Sequence, residues 1–271
     1  MRRLNFGLTS VFAILLSSAA FASGSEKSTH LPSIWGMLFG HEGFLGRYID
    51  IVYAISVSIL FSVLAAKVYR NQQLIPGKLQ NFLELCVEGM FNFITTILGN
   101  DAKKYTPFLG TLFFYILVNN LMGLIPGGHS ATANISVTLS LSLMVFLYSQ
   151  YTGITRLGFI GWLDHLAGQP RDIMGWVLIP FLLPIHVVGE IAKPASLALR
   201  LFGNVMGGDI LVAAFVGLGI LITSGLHVPI GLPVQVPFIL LEILVSTIQA
   251  VVFTLLSTIY ILLMLPHAEG H

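Results

Sequence analysis

An all-helical integral membrane protein is the fold class that the sequence predicts, from its composition, its hydropathy and its length. Of the 271 residues, 55% are hydrophobic and only 9% are charged, against roughly 25% charged residues in an ordinary soluble domain. The mean hydropathy is +0.88. At about 20 residues per transmembrane helix, the chain has room for roughly five or six spans and none for a separate soluble domain. Any function must therefore sit inside the bilayer.

Charge, cysteine content and motifs exclude several classes of protein. The net charge is +1, from 13 Lys+Arg against 12 Asp+Glu, which leaves no basic footprint for nucleic acid. The one cysteine, Cys86, excludes an internal disulfide framework and a CxxC motif. The sequence has no GxxxxGK[ST], HExxH or GxSxG motif, and too few histidines near a span for a bis-histidine haem. We expect no nucleic-acid partner, no cofactor and no metal.

The N-terminus has the layout of a secretory signal peptide. Arg2 and Arg3 precede an apolar run at residues 11–16, and small residues ending in Ala20-Phe21-Ala22 follow. We expect a cleaved signal over residues 1–22, with an uncleaved N-terminal segment as the alternative. Residues 23–47 are mixed in character and are predicted to be an extracytoplasmic segment. A single helical membrane domain is then predicted over residues 48–271.

The first two elements of this domain differ in their patterning. Residues 48–69 form a nearly uncharged run that is long enough for a first span. Residues 78–98 are instead amphipathic, with apolar side chains every three or four positions and Gln80, Glu84, Glu88 and Asn92 on the other face. That pattern predicts an interfacial helix, which contacts either lipid headgroups or a partner protein.

Residues 105–125 and 131–151 are predicted to form a helical hairpin around the turn Pro126-Gly127-Gly128.

The cations near span ends are distributed unevenly between the two sides of the membrane. The predicted inner side carries seven of them and the outer side two, as the positive-inside rule requires. The inner set is Lys67, Arg70, Lys78, Lys103, Lys104, Arg156 and Arg171, and the outer set is Lys27 and Arg47.

Residues 172–223 are apolar but interrupted by charged residues and prolines. As one helix this stretch would be roughly 75 Å long, more than twice a bilayer core of about 30 Å. Hydropathy alone would divide it into two spans, whereas a single tilted, proline-bent helix is the alternative, and composition leaves both open. After a turn at residues 224–233, a final apolar segment covers residues 234–265.

Ionisable side chains in these last two segments are the candidate functional residues, because each costs at least about 2.5 to 3.5 kcal/mol at membrane depth unless it is paired or faces water or protein. At about 100° per residue, Ser196, Arg200 and Asn204 share one stripe with Lys193 and His186. Glu190 lies about 80° away from Arg200 and Asp209 about 180° away. Glu190 and Lys193, three residues apart, are also placed for a helix-stabilising ion pair.

The final segment presents a second polar face. Gln235, Glu242 and Gln249 recur every seventh residue, with Ser246 between the last two. Packing the two segments antiparallel around the turn would place Asp209 and Glu242 at similar depth, and Arg200 near Gln249. No carboxylate lies three or four residues from Arg200, so its partner must come from elsewhere in the chain or from another chain.

These residues carry a resemblance to a known family. The run EIAKPASLALRLFGNVMGGD at residues 190–209 resembles the signature of subunit a of the bacterial F-type ATP synthase, from its membrane Fo sector. Residues 119–126, NNLMGLIP, and the Gln249-Ala250 pair are similar to further segments of that family. The resemblance covers most of the chain from about residue 35 to residue 265.

The resemblance implies five membrane-crossing helices and one interfacial helix, with the last two crossing helices long and tilted against a rotating c-ring. It implies an N-terminus outside and a cytoplasmic C-terminus in the bacterial inner membrane. The ion-path hairpin would cover residues 172–265. Implied partners are the c-ring subunits, b-type peripheral stalk subunits, the catalytic head and membrane lipid.

The resemblance also implies roles for individual residues. Arg200 matches the essential arginine that faces the ring carboxylate, and the other positions match a proton path that comprises Asp209, Glu242, Gln249, Asn204, Ser196, Glu190 and His186. No histidine accompanies Asp209, so a carboxylate pair would handle the outer proton as a coupled pair. The chain would not be an enzyme alone. A stand-alone secondary ion transporter is the alternative function, although it predicts an internal repeat that we do not find.

Overall fold

A computed structural model describes residues 49–70, 77–125, 130–166, 173–225 and 233–265. The predicted signal peptide, the N-terminal segment and the turn at residues 126–128 lie outside the described residues. Within the described ranges the chain forms six α-helices and two short 3₁₀ turns, at Gly99–Asp101 and Ala131–Ala133. The helices are α1 (Ile49–Arg70), α2 (Lys78–Leu98), α3 (Ala102–Gly123), α4 (Ile135–Leu166), α5 (Ile173–Gly225) and α6 (Val236–Leu263).

Four stretches of helix in the described part are long and apolar enough to cross a membrane. They are Gln80–Gly123, Ile135–Asp164, Leu183–Ile222 and Val236–Leu263, and α1 contributes a shorter apolar stretch, Val52–Val63. The prediction of an all-helical membrane protein is confirmed at this level. The first stretch joins α2 to α3 through the turn Gly99–Asp101, so the predicted interfacial helix leads almost directly into the first arm of the hairpin.

Helix α4 is longer than the sequence pattern indicates. The predicted end at residue 151 falls inside the first helical part of α4, which runs on to Gly158, the residue that leaves helical geometry; a second helical part then continues to Leu166. Gly158 has φ of 75° and ψ of 166°, which glycine adopts without steric cost. The helix axis therefore breaks at Gly158, and the final turns of α4 change direction.

Helix α5 resolves the alternatives for residues 172–223. It is one helix of 53 residues that contains Pro180, Pro184 and Pro194, and it is not interrupted near the charged residues. At 1.5 Å per residue it is about 80 Å long. The prolines interrupt single backbone hydrogen bonds within a helix that continues on both sides of each of them.

The core lies between α3, α4 and α6. It is filled by large buried side chains of α3, including Tyr105, Leu109 and Ile116, and by Phe253 of α6. Phe108 and Tyr148 stack with ring centroids 4.2 Å apart, which ties α3 to α4. Buried hydroxyl groups on α6 donate to carbonyls one turn earlier, as Thr254, Ser257 and Thr258 do. These polar groups are thus satisfied without water, as the membrane interior requires.

The end of α3, within the described residues 119–125, packs against the residues that directly precede α4. The Thr132 hydroxyl donates to Asn120 Oδ1 at 2.6 Å, and it lies 2.7 Å from the hydroxyl of Ser130. A Cβ atom at Gly123 would lie 2.8 Å from Cβ of Ser130, so the two chain segments approach too closely for any larger residue there. This close contact holds the end of α3 against the residues before α4.

Helices α5 and α6 pack antiparallel in one consistent register. Lys193 lies over the ring of Tyr260, Asn204 contacts Gln249, and Phe215 stacks on Phe238. Successive contacts are separated by about three helical turns on each helix, which keeps all of them on the same pair of faces. The register decides which polar side chains of α5 and α6 meet.

Candidate functional site

Arg200 lies near the middle of α5, on a face that the other described residues leave exposed. Ser196 and Asn204, one turn away on either side, are exposed with it, whereas Leu197 and Leu201 are buried in the core. Among the residues that the structure describes, no carboxylate lies within ion-pair distance of Arg200. Its electrostatic neighbour across the helix interface is Tyr260 of α6.

Asn204 links this exposed stripe to the polar face of α6. Its Nδ2 donates to Oε1 of Gln249 at 2.7 Å. Gln249 is only 3% exposed, and its Nε2 has no hydrogen-bond partner among the described side chains and backbone groups. A buried amide hydrogen without an acceptor is costly, so this position is suited to hold a water molecule or an incoming polar group.

An acidic cluster in the C-terminal half of α5 comprises Asp209 together with Glu242 of α6. Glu242 is 7% exposed, and its carboxyl group lies directly over Gly208, where any Cβ atom would overlap it. It interacts electrostatically with Asp209, the next residue of α5. Two carboxyl groups at one site oppose double ionisation, so the pair is suited to share and pass on a proton. Ser246, one turn further along α6, is also buried.

Glu190, toward the other end of α5, has a different environment. Lys193 donates to Glu190 Oε1, so the helix-stabilising ion pair exists. Gln150 of α4 donates from Nε2 to Glu190 Oε2 at 2.8 Å, and Trp162 Nε1 donates to Gln150 Oε1 at 2.7 Å. Tyr260 of α6 interacts electrostatically with Glu190 as well as with Arg200. Glu190 is thus surrounded by partners from three helices.

The remaining candidate residues lie outside these clusters. His186, one turn before Glu190 on α5, is exposed. Gln235 directly precedes α6, and its Oε1 is buried without a partner among the described residues. Within the described ranges, no group of three or more His, Cys, Asp or Glu side chains is arranged to hold a metal ion.

Several residues of the site escaped the sequence analysis. Tyr260 is about three helical turns beyond Gln249 and therefore on the same face, so extending the spacing of α6 would have found it. Gln150 was a polar residue inside a predicted span. Trp162 lay beyond the predicted end of α4, and the importance of Gly208 depends on a contact between two helices. No local sequence pattern identifies Trp162 or Gly208 as part of the site.

Comparison with known proteins decides the family. The family model described as ATP synthase A chain matches residues 51–262. The chain belongs to the ATP synthase subunit a family. It is 42% identical over 227 residues to ATP synthase subunit a of Protochlamydia amoebophila (strain UWE25), covering 84% of this chain and 83% of that protein.

Two further relatives give the same result. ATP synthase subunit a of Oleidesulfovibrio alaskensis is 34% identical over 251 residues, which cover 92% of this chain and 100% of that protein. ATP synthase subunit a 3 of Pelobacter propionicus is 39% identical over 207 residues, covering 76% and 82% respectively. Family membership makes this chain a membrane subunit of an F-type ATP synthase, one that works in a complex with other subunits. The resemblance found in the sequence is confirmed.

Proposed function

We propose that this chain is the stator subunit of the ATP synthase proton channel, with two offset half-channels and a fixed arginine, Arg200, that couple proton translocation to rotation of a c-ring and to ATP synthesis. The observation that carries the proposal is the position of Arg200. It lies on an exposed face of α5, without a carboxylate partner among the described residues, and between two acidic clusters.

The energetics of a charge in a membrane require a partner for Arg200. A cation facing hydrocarbon alone costs at least about 2.5 to 3.5 kcal/mol, and arginine does not escape this cost by losing its proton. A carboxylate on another chain, presented to the exposed stripe, would supply the missing charge. Ring subunits whose carboxyl groups are neutral in lipid and ionised beside Arg200 meet this requirement.

The spacing along α5 supports two separate proton paths. Glu190 is about 15 Å from Arg200 along the helix axis, and Asp209 is about 14 Å away in the other direction. The two acids are therefore separated by about 29 Å along the axis of α5, with Arg200 between them. Because the two acids lie on different faces of the helix, the two proton paths would be offset from each other around α5.

In this proposal the outer half-channel contains Asp209, Glu242, Gln249 and Asn204, and the inner one contains Glu190, His186 and Ser196. Five crossings, with α5 and α6 tilted along the ring, would place the N-terminus outside and the C-terminus in the cytoplasm of a bacterial inner membrane. The excess of Lys and Arg on the predicted inner side supports this orientation. A b-type peripheral stalk would hold the subunit in place against the torque of the c-ring. The catalytic head would use that torque for ATP synthesis.

The test is ATP-driven acidification of vesicles that contain the purified complex. We expect Arg200→Ala to abolish pumping in a fully assembled complex, because the ring carboxylate then loses its fixed counter-charge. Lys103→Ala removes a cation from an exposed position on α3 and serves as the matched control, with pumping near that of the wild type. Retained pumping in assembled Arg200→Ala complexes would refute the role of the arginine. Transport by the isolated chain would favour a self-contained transporter.

A further inference from the structure

The break in α4 brings Trp162 back to Gln150. In an unbroken helix these two residues would lie about 18 Å apart along the axis, too far for a direct hydrogen bond. Because the backbone leaves helical geometry at Gly158, the indole Nε1 reaches Gln150 Oε1 at 2.7 Å. The indole also packs closely on α4, since a Cβ atom at Gly153 would lie 3.1 Å from Trp162 Cδ1.

The indole determines which way the Gln150 amide points. An indole N–H can only donate, so the oxygen of the amide must face Trp162 and its NH₂ group must face Glu190. With Gln150 Nε2 donating to one carboxyl oxygen and Lys193 donating to the other, both oxygens of Glu190 act as acceptors. This pattern fits the ionised carboxylate. The reversed amide would present an oxygen and would fit the protonated acid.

We propose that Trp162 and Gln150 are positioning residues that keep the Glu190 carboxylate oriented and ready to accept a proton at its end of the ion path. This inference rests on the proposed function, which places Glu190 in the inner half-channel. The other groups that face Glu190 in the described part are Lys193 on its own helix and Tyr260 on α6, while α4 contributes the uncharged Gln150. If the Trp162 N–H donor were lost, neither Lys193 nor Tyr260 would by itself turn the side-chain amide of Gln150 around.

The experiment measures passive proton conduction through the membrane sector as a function of pH, in vesicles stripped of the catalytic head. Trp162→Phe keeps an aromatic ring over Gly153 and removes the N–H donor. We expect lower conduction and a pH midpoint displaced from that of the wild type, because the freed amide no longer holds the Glu190 carboxylate in one hydrogen-bonded orientation. Gln150→Met should shift the midpoint in the same direction. Tyr151→Phe, a neighbouring exposed position, is the matched control and should match the wild type.

Glu190→Gln separates two hypotheses, the place of Glu190 in the ion path and the positioning role of Trp162 and Gln150. If Glu190→Gln leaves the pH profile unchanged, the proposed place of Glu190 in the ion path is wrong and the positioning role falls with it. If Glu190→Gln changes the profile but Trp162→Phe does not, only the positioning role is wrong. A Trp162→Phe variant that assembles less but has a wild-type profile per complex also overturns it. If both hypotheses hold, Trp162→Phe adds no further shift in the Glu190→Gln background.

Discussion

The two acidic clusters of α5 are built in opposite ways. At the Glu190 end, one carboxylate is surrounded by donors: Lys193 on the same helix, and Gln150, which is itself held by Trp162. At the Asp209 end, the carboxyl groups of Asp209 and Glu242 interact electrostatically, and Glu242 packs over the backbone of Gly208. The first arrangement favours a fixed anion, and the second favours a proton held between two acids.

The difference suggests that the two ends of the proposed path perform different tasks. Donors that satisfy both oxygens of a carboxylate stabilise its ionised form, which prepares it to take up a proton that arrives from the ring. A pair of carboxyl groups opposes double ionisation, so one of them tends to keep a proton that it can deliver.

Removing both acids at the Asp209 end should have the largest effect. We expect Asp209→Asn combined with Glu242→Gln to lower ATP-driven pumping by about 100-fold, because no proton-exchanging group remains there. Each single substitution should lower pumping much less, since the other carboxyl group can still bind and release a proton. Glu88→Gln, at an exposed position on α2, is the control for loss of one negative charge. A single substitution as severe as the double one would contradict proton sharing.

Gly208→Ala should have an intermediate effect. The added methyl group overlaps the Glu242 carboxyl group, so that carboxyl must move or the helices must separate, at a cost of about 1 to 3 kcal/mol. Pumping should fall while the complex still assembles. Gly217→Ala is the matched control because nothing lies within 4 Å of its added Cβ atom. Equal effects of Gly208→Ala and Gly217→Ala on pumping would show that the position of Glu242 does not depend on the space at Gly208.

Asn204→Ala should weaken the contact between α5 and α6. Its loss removes the 2.7 Å hydrogen bond to Gln249 and leaves a second polar atom of that buried amide without a partner. We expect a loss of about 1 to 3 kcal/mol in resistance of the complex to SDS denaturation. Asn204→Ala together with Gln249→Leu should restore part of this stability. If the double variant is less stable than Asn204→Ala, Gln249 has another partner that this explanation omits.

The ion pair between Arg156 and Asp101 should have the smallest effect. It joins α4 to the turn before α3 at 2.6 Å, but its side chains are 35% and 42% exposed. Solvent screens such a pair, so Asp101→Asn should change stability by no more than about 1 kcal/mol, and less at high salt. SDS denaturation at two salt concentrations measures this. A larger loss would mean that this pair, like Glu190, is part of a connected network.

Much of the site could be predicted from single-helix geometry. The stripe of Ser196, Arg200 and Asn204 and the face of Glu242 and Gln249 follow from the helical repeat alone. Counting residues from the turn also predicted that Asp209 and Glu242 lie at similar depth, and in the structure the two carboxyl groups interact electrostatically. The contact of Glu190 with Gln150 could not be predicted, because the sequence does not say which face of α4 meets α5.

The sequence also could not predict the length of α4 or the course of α5. The pattern placed the end of α4 at residue 151, while the helix continues to Leu166 beyond the break at Gly158. Hydropathy left residues 172–223 open between one helix and two, and the structure has one. In both cases local apolarity is compatible with more than one helix boundary, and packing against neighbouring helices selects among them.

The sequence by itself determined the membrane class, the helical character, the family and the faces on which the charges lie. These properties follow from composition and from the local repeat of the helix, which neighbouring residues set. Only the tertiary structure decided that Asn204 meets Gln249, that Gly208 makes room for Glu242, and that Trp162 reaches Glu190 through Gln150. Such contacts join residues far apart in the chain, and they depend on helix register and on one backbone break rather than on any local pattern.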